Sequence, residues 1–182
     1  MAQVKRAPFR ADHVGSLLRP QRLKEAREAF ERGALARAAL SEIEDAAIRE
    51  AVRLQEEAGL NLATDGEFRR KEWHMDFLKQ FANVRQVPGE FKLRFHTHES
   101  EIEVTPPGLR IEGKLGRPHP IFVDHFKFLH GVAKGTAKQT IPSPTIMHFR
   151  GGRAAVDQKA YPEMAQFFAD LARVYSEEIA DL

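Results

Sequence analysis

The sequence contains no cysteine. That excludes a disulfide framework and any thiolate ligand to a metal within the chain. Neither sign of charge dominates, since 28 Lys and Arg stand against 26 Asp and Glu, a net charge of +2. The basic residues are interleaved with acids and form no stripe, so nucleic acid is not an expected partner. No apolar run approaches the ~18–20 residues of a membrane span. No hydrophobic signal core follows Lys5, Arg6 and Arg10, so no membrane partner is expected and the cytoplasm is the expected location. Internal repeats and low-complexity tracts are lacking too. What is there is an ordinary globular composition, 42% hydrophobic and 30% charged over 182 residues, enough for one domain with a real core.

Residues 59–76 organise the chain. Residues 60–64 form a short apolar run that reads as a buried strand, preceded by a helix and Gly59 and ended by Asp65-Gly66-Glu67. Two carboxylates around a glycine at the end of a buried strand are costly unless something binds there. In parallel α/β folds the carboxyl ends of the strands are where ligands sit.

Upstream, residues 9–14 read as a first strand that breaks at Gly15-Ser16. Pro20 suits the first turn of a helix with Leu23, Ala26 and Phe30 on its buried side. Ser41 and Glu44 make a capping box, and Ile43, Ala47, Ala51, Leu54 and Ala58 follow at helical spacing. Downstream, a short helix carries Trp73, Phe77 and Phe81. Alternating residues then predict an antiparallel meander at about 84–117, with Phe91, Leu93, Phe95 and Thr97 on one strand and Glu101 and Glu103 on the next. It is expected as an insertion between the second and third core strands. A helix over 122–132, a third core strand over 136–141 and a last helix complete the order. That helix buries Met164, Phe167, Phe168, Leu171, Val174, Tyr175 and Ile179.

Strand, helix, strand in this order predicts an α/β fold with a parallel sheet. Three core strands cannot close a parallel barrel, which needs eight strands and typically ~250 residues. The apolar stripe of the last helix runs to Leu182 without a terminator, so the chain is expected to be a fragment, with self-association through its exposed sheet edges.

Three strand ends carry the candidate chemistry: His13-Val14-Gly15-Ser16, Asp65-Gly66-Glu67 and Pro142-Ser143-Pro144. Gly15 lets a ligand approach the backbone, and Ser16 offers an N–H and a hydroxyl. A free amino acid suits such a cradle, its ammonium toward Glu67 and its carboxylate toward the donors. The plainer alternative is a turn at Gly15-Ser16 and helix caps at Asp65 and Glu67. His96 and His98, with Glu99 nearby, share a strand face that can hold a metal but more simply is a solvated hairpin. His125 and His130 lie five apart on a helix, a poor ligand spacing. Trp73 can stack on a flat ligand, or pack with Phe77 and Phe81.

Residues 13–20, His-Val-Gly-Ser-Leu-Leu-Arg-Pro, together with Thr64-Asp65-Gly66-Glu67-Phe68-Arg69-Arg70 and Trp73-His74-Met75-Asp76-Phe77, resemble the catalytic barrel of cobalamin-independent methionine synthases, above all the short single-barrel members. The resemblance implies the amino-terminal portion of one (β/α)8 TIM barrel over residues 1–182, comprising the first three strand units plus the antiparallel insertion. It implies a zinc-dependent methyltransferase that carries a methyl group from 5-methyltetrahydrofolate, as its polyglutamate, to homocysteine. Val14, Gly15 and Ser16 would contact the amino-acid end and Glu67 the ammonium; His13 stands beside them. Asp65 departs from the histidine of the long synthases. No residue matches the family's zinc ligands, which are expected beyond Leu182, so no metal and no methyl transfer are expected of this chain alone. The alternatives are a related zinc-dependent alkyltransferase of the coenzyme M type, and a non-catalytic half-barrel interaction module.

Overall fold

Pro20, which has no N–H to lose, stands directly before the first helix, and Leu23 and Ala26 are the side chains that this helix buries. The computed structural model describes residues 13–89, 92–96 and 100–182. In chain order the elements are α1 (Gln21–Glu31), α2 (Arg37–Glu57), β1 (Leu62–Ala63), α3 (Met75–Leu78), β2 (Ala82–Val87) and β3 (Leu93–His96). There follow β4 (Glu101–Val104), β5 (Gly108–Gly116), α4 (Val123–Val132), β6 (Thr136–Ala137), α5 (Ile146–Phe149) and α6 (Met164–Asp181). The fold is mixed α/β. Its residues fall into two units, Met1–Trp73 with Phe122–Ile141, and His74–Ile121 with Pro142–Leu182.

The first unit pairs β1 with β6 in parallel, Leu62 opposite Thr136 and Ala63 opposite Ala137. Leu23, Leu40, Ile48, Val52, Phe68 and Leu129 pack around Ala63 as its core. Two expectations for α2 are corrected. The helix begins at Arg37 rather than Ser41, with no side-chain cap, because Glu44 is fully buried and binds arginines instead. Its buried stripe is Leu40, Glu44, Ile48, Ala51, Val52 and Gln55, while Leu54 is 53% exposed. Two polar residues with structural partners thus rotate the stripe away from the purely apolar one.

The expected first strand lies partly outside the described residues, and His13 and Val14 are not in a strand. The described strands form three two-stranded sheets, β1–β6, β2–β5 and β3–β4, and an arc of three adjacent parallel strands is not among them.

In the second unit the expected meander is two separate antiparallel pairs. β5 pairs with β2, an unanticipated strand, through Val84–Ile111 and Val87–Gly108. β3 pairs with β4, and the expected charge facing is realised: Lys92 lies 2.6 Å and Arg94 3.3 Å from Glu103. Phe91, Thr97, His98 and Glu99 fall outside the described residues. α6 buries Phe167, Leu171, Val174, Tyr175 and Glu178, whereas Phe168 and Ile179 are exposed. Glu178 is buried because it binds Arg117 at 2.7 Å and the Ile121 N–H at 2.9 Å. No helix among the described residues is long and apolar enough to cross a membrane.

Candidate functional site: two carboxylates beside a glycine

β1 ends at Ala63, and the next residue is gripped from three sides. The buried Gln55 side chain accepts from the Thr64 N–H and donates to the Thr64 carbonyl, both at 2.9 Å, as a neighbouring strand would. Thr64 Oγ1 donates to the Gly15 carbonyl at 2.7 Å. Residues 13–17 are therefore fastened to the carboxyl end of β1, and Leu17 N–H extends the attachment to the Gly66 carbonyl at 3.1 Å. Gly15 has φ +129°, and a Cβ there would lie 2.7 Å from Thr140 Cγ2. Only glycine fits that passage without a shift.

The turn after Thr64 is strained. Gly66 and Glu67 both have left-handed backbones, φ +65° and +59°, and Glu67 is not a glycine. The conformation drives its side chain inward, where it is 5% exposed. Glu67 Oε1 accepts from Thr140 Oγ1 at 2.8 Å and lies 3.3 Å from Arg70 Nη1. Arg70 is buried, donates to the Thr140 carbonyl at 2.6 Å and to Thr140 Oγ1 at 3.2 Å, and lies 4.4 Å from the centre of the Phe122 ring.

One oxygen of each carboxylate has no such partner. Glu67 Oε2 and Asp65 Oδ2 are both buried without a hydrogen-bond partner among the described residues. Asp65 Oδ1 accepts from the Glu67 N–H at 2.9 Å. Burial is the main cause that lifts the Asp65 carboxyl above the ordinary aspartate range, against the pull of the Glu67 N–H and Arg70. Other charges are committed elsewhere: Arg69 to Asp45 at 2.5 Å, and Lys138 Nζ to the His13 carbonyl at 2.7 Å. His125 is pushed down to about 4, by burial first and then by Arg69 and Arg70, so it is neutral at pH 7. An unpaired buried acceptor costs about 1–3 kcal/mol, more when charged. A cation with several N–H donors would relieve both oxygens.

Gly15, Asp65 and Glu67 are thus brought together. His13 turns toward Gln55, with Nε2 at 2.7 Å from Oε1. Val14 and Ser16 are exposed, and Ser16 makes no hydrogen bond to any described residue. Ser143 lies in the second unit, where its hydroxyl meets Thr145 Oγ1 at 2.9 Å. The residue that the segment after β6 brings to Glu67 is Thr140, which sequence reasoning missed along with Arg70 and Gln55. Among the described residues no group of three or more His, Asp or Glu side chains is placed to hold a metal ion. With no cysteine in the chain, the residues described do not fit the zinc that the resemblance implies.

No family model matches the chain. It is 40% identical over 178 residues to the Bacillus subtilis uncharacterized protein YxjH, covering 96% of this chain and 45% of that protein. It is 38% identical over 180 residues to YxjG of the same organism, covering 97% and 46%. The chain therefore spans about half the length of the curated relatives it matches. Among solved structures it is similar to a Listeria monocytogenes protein provisionally assigned as a vitamin-B12-independent methionine synthase. The TM-score is 0.74 at 36% identity, over 96% of this chain and 48% of that one. A B12-independent methionine synthase from Shewanella sp. W3-18-1, solved with selenomethionine, shares the fold at TM-score 0.59 and 19% identity, over 81% and 40%. The chain is methionine-synthase-like in this coarse sense.

Proposed function

We propose that this chain supplies the amino-acid-binding part of a thiol methyltransferase of the cobalamin-independent methionine synthase type. Its acceptor is homocysteine and its donor a 5-methyltetrahydrofolate. The observation that carries the reading is the pair of buried, unpartnered oxygens Asp65 Oδ2 and Glu67 Oε2. An α-ammonium brings donors and a positive charge to both. Ser16, exposed at the end of the segment fastened to β1, offers its hydroxyl and N–H to the carboxylate of the same ligand. Gly15 keeps side-chain bulk out of the way.

In this reading β1 and β6 are the second and third strands of a (β/α)8 barrel whose remainder lies in the other half of the relatives' length. The residues of this chain bind and orient the amino-acid end. They leave the sulfur to attack the methyl carbon as its bond to the folate N5 breaks. The group that activates the thiol is not assigned to this chain. A sulfonate acceptor of the coenzyme M kind has no ammonium and would leave both carboxylates unmet, so an amino acid is favoured. Calorimetric titration of the chain with L-homocysteine and with γ-sulfanylbutyrate, the same thiol acid without its amine, tests this. Homocysteine should bind more tightly, and Glu67→Gln should weaken it by about 1.5–3 kcal/mol. Equal affinity for the two thiols, or no change in Glu67→Gln, would end the proposal.

A further inference from the structure

Every backbone carbonyl from Gly66 to Arg70 accepts a hydrogen bond from residues 17–27. Leu17 N–H reaches the Gly66 carbonyl at 3.1 Å. Arg19 Nη2 lies 3.3 Å from the Glu67 carbonyl and 3.0 Å from that of Arg70. Arg27 donates to the Phe68 carbonyl at 2.6 Å and the Arg69 carbonyl at 3.5 Å, and is anchored by buried Glu44 at 3.2 Å. This is the turn in which Glu67 holds its left-handed backbone.

We propose that Arg19 is a positioning residue: its guanidinium bridges the Glu67 and Arg70 carbonyls and so holds the Glu67 carboxylate toward the ligand. The inference rests on the amine-binding reading above, and it extends that reading to a residue that touches no ligand. A left-handed non-glycine residue persists only where its surroundings over-determine it. Leu17 and Arg27 fix the carbonyls on either side of Glu67, and within residues 17–27 Arg19 is the side chain that reaches the Glu67 carbonyl. Because Ser16 belongs to the same segment, the clamp also sets the spacing between the two ends of the amino-acid cradle. Both bonds come from one nitrogen, Nη2, whose two N–H groups point in fixed directions in the guanidinium plane, whereas an ammonium on a flexible stem is held less firmly.

The test uses the whole chain with Arg19→Ala and Arg19→Lys, the two thiols named above, and amide hydrogen exchange. Misplacing a binding group by a fraction of an ångström is expressed in the contact it makes, so Arg19→Ala should cut the preference for homocysteine over γ-sulfanylbutyrate about tenfold. Affinity for γ-sulfanylbutyrate should stay within about twofold. Arg19→Lys should recover part of the preference. Arg19→Ala added to Glu67→Gln should cost no further preference, since both act through one carboxylate. A variant that weakens both thiols equally, or adds fully to Glu67→Gln, overturns the proposal. In the ligand-free chain, exchange at the Leu17 and Arg70 amides should quicken in Arg19→Ala, and unchanged exchange overturns it as well. A wild-type chain that shows no preference for the amine, with exchange quickened in the variant, refutes the homocysteine reading and leaves the clamp standing.

Discussion

Thr140 Oγ1 donates to Glu67 Oε1 at 2.8 Å while accepting from Arg70 Nη2 at 3.2 Å, so one hydroxyl ties the acid to the guanidinium that neutralises it. Thr140→Val keeps the shape and removes both bonds. Glu67 Oε1 then depends on Arg70 alone, at 3.3 Å. The variant should lose about 1–3 kcal/mol of unfolding free energy in urea, the cost of leaving a partly buried charged acceptor one donor short. A loss below the error of the measurement would show that water replaces the hydroxyl and that Thr140 is dispensable.

Asp65 makes stability depend on pH in an unusual sense. Burial raises its carboxyl in the folded chain, so the folded state holds a proton that the unfolded state has released. Over the window from the ordinary aspartate value up to the raised one, stability should therefore fall as pH rises. Asp65→Asn keeps an acceptor for the Glu67 N–H and cannot titrate, so the difference between wild type and variant should shift toward the variant through that window. An ammonium bound at the site favours the charged form, and amine affinity should rise with pH over the same range. Parallel stability curves for wild type and Asp65→Asn would remove Asp65 from this account.

The sequence made the acid pair visible because Asp65-Gly66-Glu67 ends an apolar run at a glycine. It made the parallel partner visible because residues 136–141 repeat the strand signal after α4. It could not show that β1 is only Leu62–Ala63, because the continuation at Thr64 is bonded by the side chain of Gln55. Nor could it show Thr140 and Arg19, whose bonds to Glu67 span 73 and 48 residues of separation, the second to a backbone carbonyl with no sequence signature, or that Arg70 joins Glu67 to Thr140, 70 residues further on. β2 escaped because its apolar alternation is weak and Asn83, at φ +62°, sits in an irregularity of the β2–β5 register. In α2 and α6 the misplaced stripes share one cause, acids buried for their ion pairs.

Glu44 is the stronger of those two cases. It is fully buried on α2 and meets Arg37 at 2.7 Å, Arg27 at 3.2 Å and Arg69 at 3.6 Å. Arg27 and Arg69 are themselves largely buried, so removing the carboxylate strands cations that water cannot reach freely. Glu44→Ala should cost about 3–5 kcal/mol, as for a broken buried pair, and Glu44→Gln less because the amide oxygen still accepts. Since Arg27 also holds the Phe68 carbonyl, the loss should be accompanied by faster amide exchange in residues 66–70. A stable Glu44→Ala with normal exchange there would show that the arginines find other partners.

Gly15 offers the sharpest separation of steric from conformational strain. Its φ of +129° is one that L side chains rarely adopt, and an added Cβ would meet Thr140 Cγ2 at 2.7 Å. Gly15→Ala should therefore suffer both a backbone penalty of about 1–3 kcal/mol and an overpacking penalty of similar size. Thr140→Ser removes Cγ2 and keeps the hydroxyl on Glu67, so it relieves the clash without touching the backbone term. The double variant Gly15→Ala/Thr140→Ser should be more stable than the sum of the single changes predicts, with an interaction energy of about 1–2 kcal/mol in a double-mutant cycle. Full additivity would mean that the Gly15 segment does not pass against Thr140.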